Sequence, residues 1–300
     1  MKDFQIRGKF YIGLILLCTL LLGVDYKARA DFKEVKVLSD SADNITNYPI
    51  LQTTYFPQIS AKGAIVIDAD SKVILYSKNP DLRFSTASTT KIMTALTALD
   101  HFKLDEVLTV KDATTEGVIL GLKSGQQMTF ENLLYGLLLP SANDIAQTIA
   151  QNYSQDPNEF VKAMNRNALK YNLYNTHFQD PAGLEDEGDY TTPLDLARLA
   201  SVAIQNEVFA KIVSTKEKVV ADLSGNTYSV KNLNKLLGVD GVDGIKTGYT
   251  EGAGQVLVTS KIEKGHTLII VVMGSEDRFL DTEKLLTMVS GNITYLPIHP

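Results

Sequence analysis

The chain has 300 residues, 44% hydrophobic and 21% charged, with a formal net charge of −6 at neutral pH. That length and balance suit one large or two small globular domains whose core needs no metal or disulfide staple, and exclude a fibrous or disordered polypeptide. An acidic chain without a basic run is also unsuited to nucleic acid, and that class is set aside.

The first 30 residues differ from the rest. Lys2, Arg7 and Lys9 make a basic start, Phe10 to Val24 is almost purely apolar, and Ala28-Arg29-Ala30 follows. This is the layout of a secretory signal peptide over 1–30, with an uncleaved membrane anchor as the other reading. The single cysteine, Cys18, lies inside the apolar run, so a mature chain has no disulfide or thiol chemistry. Removing this segment's five basic and two acidic residues leaves 24 basic and 33 acidic ones, a net of −9. Export places the protein in a periplasm or extracellular cell wall.

Residues 31–60 have no sustained period and read as a lead-in with room for one short strand. Ala64 to Asp68 and Val73 to Tyr76 are apolar runs around Asp70-Ser71-Lys72, which predicts two strands and a turn. From Thr89 to Leu99 the apolar spacing becomes helical, through Ile92, Met93, Leu96 and Leu99. Phe130 to Leu139 is helical, densely apolar and stopped by Pro140. Helical patterns follow at about 144–153, 158–171 and 193–205. The chain then returns to strands at 243–249, 255–262 and 267–273, with Glu263-Lys264-Gly265-His266 as a turn, and ends on a helix near 279–290. Strands, a helical block, then strands imply a single α/β (α+β) domain over 61–300, with early and late strands in one antiparallel sheet. No repeat or linker marks a second domain.

Three short segments carry chemistry. In Ser88-Thr89-Thr90-Lys91 the two ends lie one helical turn apart, so an amine sits beside a hydroxyl. A serine hydroxyl needs a base to become a nucleophile, and a lysine serves only when neutral, which burial or a nearby cation favours. No other serine in the chain has a lysine three residues ahead. In Ser141-Ala142-Asn143, after Pro140, a hydroxyl and an amide are available at the end of a buried helix. In Lys246-Thr247-Gly248, a strand offers positive charge and a hydroxyl to a carboxylate, and a glycine allows close backbone approach. Taken singly, each also fits ordinary cap, turn or edge-strand chemistry. In this order and context they form the set used by penicillin-binding proteins and class A β-lactamases.

The resemblance extends well beyond these triplets. Pro80-Asp81-Leu82-Arg83, Ala87 to Leu96, Asp180-Pro181-Ala182-Gly183-Leu184, Thr191 to Ala197 and Gly241 to Thr250 make residues 60–290 similar to the D-alanyl-D-alanine carboxypeptidases among the low-molecular-mass penicillin-binding proteins. The resemblance implies a five-stranded antiparallel sheet flanked by helices with a helical subdomain. It implies an acyl-enzyme on Ser88 with Lys91 as base, and an oxyanion hole from the Ser88 and Tyr249 N–H groups. Ser141 would relay a proton to the leaving amine, and Asn143 would orient the site. Lys246 and Thr247 would bind the substrate carboxylate, Arg278 would support that site, and Gly248 would let the substrate backbone come close. The implied partners are peptidoglycan stem peptides ending in D-Ala–D-Ala, with β-lactams as inhibitors and no metal or cofactor. The membrane is a partner only if the N-terminal segment stays uncleaved.

Two departures bear on this reading. Asn232-Leu233-Asn234 has Leu233 where some relatives carry a basic residue. The chain stops at Pro300, where many family members continue into a small β-domain and a membrane helix. That implies a soluble or N-terminally held enzyme, and some relatives of this kind are endopeptidases that cut cross-links. A class A β-lactamase needs a glutamate in a Glu-x-x-Leu-Asn loop, and no such run is present. A non-catalytic module binding peptidoglycan or penicillin is the remaining alternative. His101, His177, His266 and His299 are scattered, without metal-ligand spacing.

Overall fold

The computed structural model describes residues 47–156, 158–185 and 187–297. The expected signal segment, 1–30, and most of the lead-in lie outside the described residues. In chain order, strands β1 (Asn47–Leu51), β2 (Gly63–Asp68), β3 (Ile74–Lys78) and β4 (Phe84–Ser85) precede a 3-10 turn, Ala87–Thr89, and helix α1 (Thr90–Leu99). Strands β5 (Val107–Thr109) and β6 (Gln127–Thr129) lead to helices α2 (Phe130–Leu138), α3 (Asn143–Tyr153) and α4 (Asn158–Lys170). Then come β7 (Tyr190–Thr191), α5 (Pro193–Ile204), α6 (Glu207–Val213), β8 (Glu217–Ala221) and β9 (Thr227–Lys231). The last elements are β10 (Lys246–Thr250), β11 (Gly254–Glu263), β12 (His266–Ser275), α7 (Arg278–Val289) and β13 (Ile293–Pro297).

The main sheet has five antiparallel strands in the order β10-β11-β12-β2-β3. Its central strands read as continuous apolar runs because both faces are covered. Ile65 and Ile67 of β2, with Ile269, Val271 and Met273 of β12, face the helical block. Ala64, Val66, Leu268, Ile270 and Val272 face α7 through Leu285, Leu286 and Val289. The β11–β12 hairpin closes through Lys264 and Gly265, both with positive φ (51° and 83°), and Glu263 pairs with His266. A two-residue loop of this kind carries the right-handed strand twist through the turn.

Helix α1 is the axis of the helical block, and every residue from Thr90 to Ala98 is buried. It packs against α2, α3, α4 and α5. A helix covered on all sides carries whatever polar group it holds into the interior, which is how Lys91 comes to be buried. The neighbouring helices start where the sequence supplies caps. Thr192 accepts from Asp195 N at 3.1 Å ahead of Pro193 in α5, and Asp277 accepts from Phe279 N and Leu280 N of α7.

The early and late strands do share one antiparallel sheet. The strand expected at 243–249 begins only at Lys246. Before it, Asp243 N and Ile245 N already donate to Ser260 and Val258, but continuous pairing starts only with Lys246 opposite Val258. Helix α6, the β8–β9 hairpin, and the short pairs β4–β7, β5–β6 and β1–β13 are additions to the sequence reading.

Candidate active site

The 3-10 turn at Ala87–Thr89 delivers Ser88 to the mouth of α1. Ala87 has φ 45°, a left-handed conformation unusual for a residue with a side chain. The turn is locked by a hydrogen bond from Thr89 N to Thr86 O, and by Thr90 Oγ1 donating to Thr86 Oγ1 at 2.7 Å. Ser88 is half-buried, with its side chain toward the helix rather than the bulk solvent.

Lys91 has 0% exposure. Its Nζ lies 3.0 Å from Ser88 Oγ, 2.7 Å from Asn143 Oδ1 and 2.7 Å from the Ala182 carbonyl. A neutral amine has two N–H donors and one lone pair. Two acceptors and one hydroxyl match that inventory, leaving the lone pair for the serine proton. Desolvation brings the Lys91 pKa from 10.5 to about 7; the Asp180 and Asp189 carboxyls, when ionised, pull the other way.

Asn143 begins α3 and is itself fixed. Its Nδ2 donates to Glu116 O at 2.9 Å, and its backbone N donates to Val118 O at 2.7 Å. Ser141, two residues earlier, is buried with φ 69°. Its Oγ has no hydrogen-bond partner among the described residues. A buried hydroxyl aimed at nothing else is free to take up or pass on a proton.

Strand β10 lies against the nucleophile turn. A Cβ on Gly248 would sit 3.1 Å from Ala87 Cβ and 3.3 Å from Ser88 N, so glycine permits this approach. Lys246 is buried, and its Nζ donates to Thr247 O at 3.0 Å. Its pKa is held well below the usual lysine value, first by burial and then by the charges of Lys91 and Arg278. Arg278 donates from Nη1 to Gly248 O at 2.7 Å, bracing the same strand, while Thr247 is buried and Tyr249 is 63% exposed at the rim. All nine sequence-predicted site residues thus lie on three converging elements: the turn into α1, the entry to α3, and β10 with the start of α7.

Sequence reasoning missed the loop that closes the site from behind. Asp180 accepts backbone N–H groups from Ala182, Gly183, Leu184 and Glu185 at 2.6–3.0 Å. This coils the 180–185 turn so that Ala182 O meets Lys91. Gly183 (φ 77°) packs so closely on the nucleophile turn that a Cβ would lie 2.0 Å from Ala87 O. The Asp180–Leu184 signature was visible in the sequence, but its partner is a main-chain carbonyl with no side-chain signal.

Comparison with known proteins bears directly on this arrangement. The sequence profile of the D-alanyl-D-alanine carboxypeptidase family matches residues 50–277. The chain belongs to this family. It is 36% identical over 249 residues to the D-alanyl-D-alanine carboxypeptidase DacF of Bacillus subtilis, covering 80% of this chain and 64% of that one. It is 34% identical over 251 residues to a D-alanyl-D-alanine endopeptidase of Pseudomonas aeruginosa, covering 80% and 81% of the two chains. The crystal structure of the Streptomyces K15 DD-transpeptidase superposes with a TM-score of 0.74 at 33% identity, over 78% of this chain and 98% of that one. The chain thus spans less than two thirds of the length of the Bacillus relative, and nearly all of the Streptomyces structure. The family match covers the nucleophile turn, the α3 entry and β10 together.

Proposed function

We propose that this protein is an exported serine D-Ala–D-Ala carboxypeptidase that trims peptidoglycan stem peptides through an acyl-enzyme on Ser88. The observation that carries the reading is the Ser88–Lys91 pair: 3.0 Å apart, with the lysine buried and its pKa brought to about 7. Neutral Lys91 takes the Ser88 proton as Oγ attacks the carbonyl of the penultimate D-alanine. The Ser88 and Tyr249 N–H groups hold the developing oxyanion. Ser141 passes a proton to the departing amine, and Asn143 keeps Lys91 in place. Lys246, Thr247 and Arg278 draw the terminal carboxylate toward β10, where Gly248 lets the substrate backbone lie close. Water then takes the acyl group, with Lys91 again as base. A β-lactam, which presents a strained amide beside a carboxylate, enters at the same serine.

A second reading has an observation of its own. A cavity of about 520 Å³ opens beside Tyr249 and Arg278, lined also by Lys235, Gln255, Glu276 and Phe279. Its lining holds Tyr249 and Arg278 but neither Ser88 nor Lys91, and the alternative activity of cutting peptide cross-links would use it for a departing residue larger than D-alanine. Release of D-alanine from a D-Ala–D-Ala peptide, compared with cleavage of a cross-linked dimer, distinguishes the two activities.

The test of the mechanism is an intact-mass time course of the full chain with benzylpenicillin, alongside Ser88→Ala. A lasting adduct of one penicillin, absent in the variant, is the expected result. An adduct that disappears as penicillin is destroyed indicates a β-lactamase instead. No adduct at all indicates a binding module. Export is checked by the amino-terminal sequence of the mature protein, expected to begin after Ala30.

A further inference from the structure

We propose that Asp189 is a positioning residue that works as a neutral carboxylic acid, its Oδ2–H donated to Asp180, so that the 180–185 turn holds Lys91 without a second negative charge beside it. The proposal rests on the reading of Lys91 as the base for Ser88.

The geometry is unusual for an aspartate. Asp189 has 1% exposure, and Oδ1 accepts from Gln179 N at 2.5 Å. Oδ2 is buried and has no donor to accept from. The side-chain hydrogen-bonding neighbour of this carboxyl is that of Asp180. Two ionised carboxylates in contact repel, whereas one proton between them converts the contact into a hydrogen bond. The proton belongs on Asp189. Asp180 accepts four backbone N–H groups, the environment of an ionised carboxylate, whereas Asp189 meets only those of Gln179 and Asp180. Burial first, and then the Asp180 charge, push the Asp189 pKa up to about 8.

Other charged groups surround the pair. Lys91 of α1 feels both carboxyls. The His177 ring nitrogen meets Gly188 O at 3.2 Å, the Arg83 guanidinium lies over the Tyr190 ring, and Asp195 of α5 accepts from Thr176. None of these places a donor on Asp189 Oδ2.

The turn that Asp180 organises is wedged between Asp189 and the nucleophile. Pro181 O accepts from Thr94 Oγ1 at 2.6 Å and Ala182 O from Lys91. Ionising Asp189 therefore acts twice. It repels Asp180 and loosens the Ala182 carbonyl, and it adds a negative charge that raises the Lys91 pKa. Both effects reduce the supply of neutral, well-placed lysine.

The experiment compares second-order acylation rates with benzylpenicillin for the wild type and Asp189→Asn from pH 6 to pH 9.5. Asparagine accepts from Gln179 and donates to Asp180 at every pH. The ratio of wild type to variant is expected near one at pH 6.5 and lower by about tenfold at pH 9, one unit above the Asp189 pKa. Taking the ratio cancels ionisations common to both proteins. Asp189→Leu, which cannot donate, is expected to be slower than Asp189→Asn by at least about tenfold at pH 6.5. A ratio flat with pH overturns the proposal, as does an asparagine variant that is slow throughout or no faster than the leucine variant. A wild type that is never acylated refutes instead the assignment of Ser88 and Lys91 on which the proposal depends.

Discussion

Replacing Lys91 with methionine tests the central electrostatic argument through stability rather than rate. The amine goes from a pKa of 10.5 in the unfolded chain to about 7 when folded. Between those values the unfolded state binds more protons than the folded state. Wild-type stability therefore rises as pH increases through that window, and the destabilisation by the buried amine is greatest below about pH 7. Methionine carries no proton and has no such slope. From the linkage relation, the wild type should gain about 2–3 kcal/mol on Lys91→Met between pH 6 and pH 9. The absolute offset is harder to read, because the substitution strands Asn143 Oδ1 and Ala182 O, at about 1–3 kcal/mol each. Those losses do not vary with pH, so the slope reports the lysine together with its coupling to Asp189. Urea denaturation of both proteins at pH 6, 7.5 and 9 supplies the comparison. A stability difference that is constant across this range would mean that Lys91 keeps an ordinary lysine pKa, and the account of its activation would fall.

The same lysine predicts an acid limb in the acylation rate, rising with pH to a midpoint near 7; a profile flat from pH 5.5 to 8 in stopped-flow measurements contradicts it. Gly183→Ala combines a positive φ with a Cβ 2.0 Å from Ala87 O, and should cost more than about 2 kcal/mol in thermal denaturation while slowing acylation. Asn143→Ala removes an acceptor from Lys91 and leaves Glu116 O unpaired, with an expected loss of about 1–3 kcal/mol and a marked fall in acylation rate. Unchanged acylation would separate Asn143 from the catalytic pair. Arg278→Leu removes the brace on Gly248 O and a positive charge beside Lys246, so KM for a D-Ala–D-Ala peptide should rise more than kcat falls. A change confined to kcat would place the arginine elsewhere in the mechanism.

The sequence displays what rests on period and order. Helix α1 is legible because its apolar residues recur at helical spacing, and β2, β11 and β12 because their runs are apolar and β-branched. The three candidate segments are legible because each sits at a boundary between such elements. Hidden features depend on contacts that leave no such trace. The β8–β9 hairpin has most of its β8 residues exposed, including Glu217, Lys218 and Val219, so neither strand alternates cleanly. Helix α6 spans seven residues, less than the window over which a 3.6-residue period can be recognised. The part of the site built from main-chain groups was also hidden: the Ala182 carbonyl on Lys91, the Glu116 and Val118 carbonyls on Asn143, and the left-handed backbone at Ala87 and Ser141. Asp189 is conspicuous only once its neighbours are known, because an aspartate before a threonine-rich helix start resembles any polar turn residue.

Strand β1 runs antiparallel to β13, with Asn47 opposite Pro297 and Leu51 opposite Ile293. The polypeptide therefore enters and leaves the domain at one point. The arrangement suits topological surgery. A short polar linker from Pro297 to Asn47, with new ends cut at the exposed Lys264-Gly265 turn, keeps every strand pairing described above. The new ends would emerge beside the old ones, because Lys264 donates to Ile293 O and the His266 ring stacks on that of Tyr295.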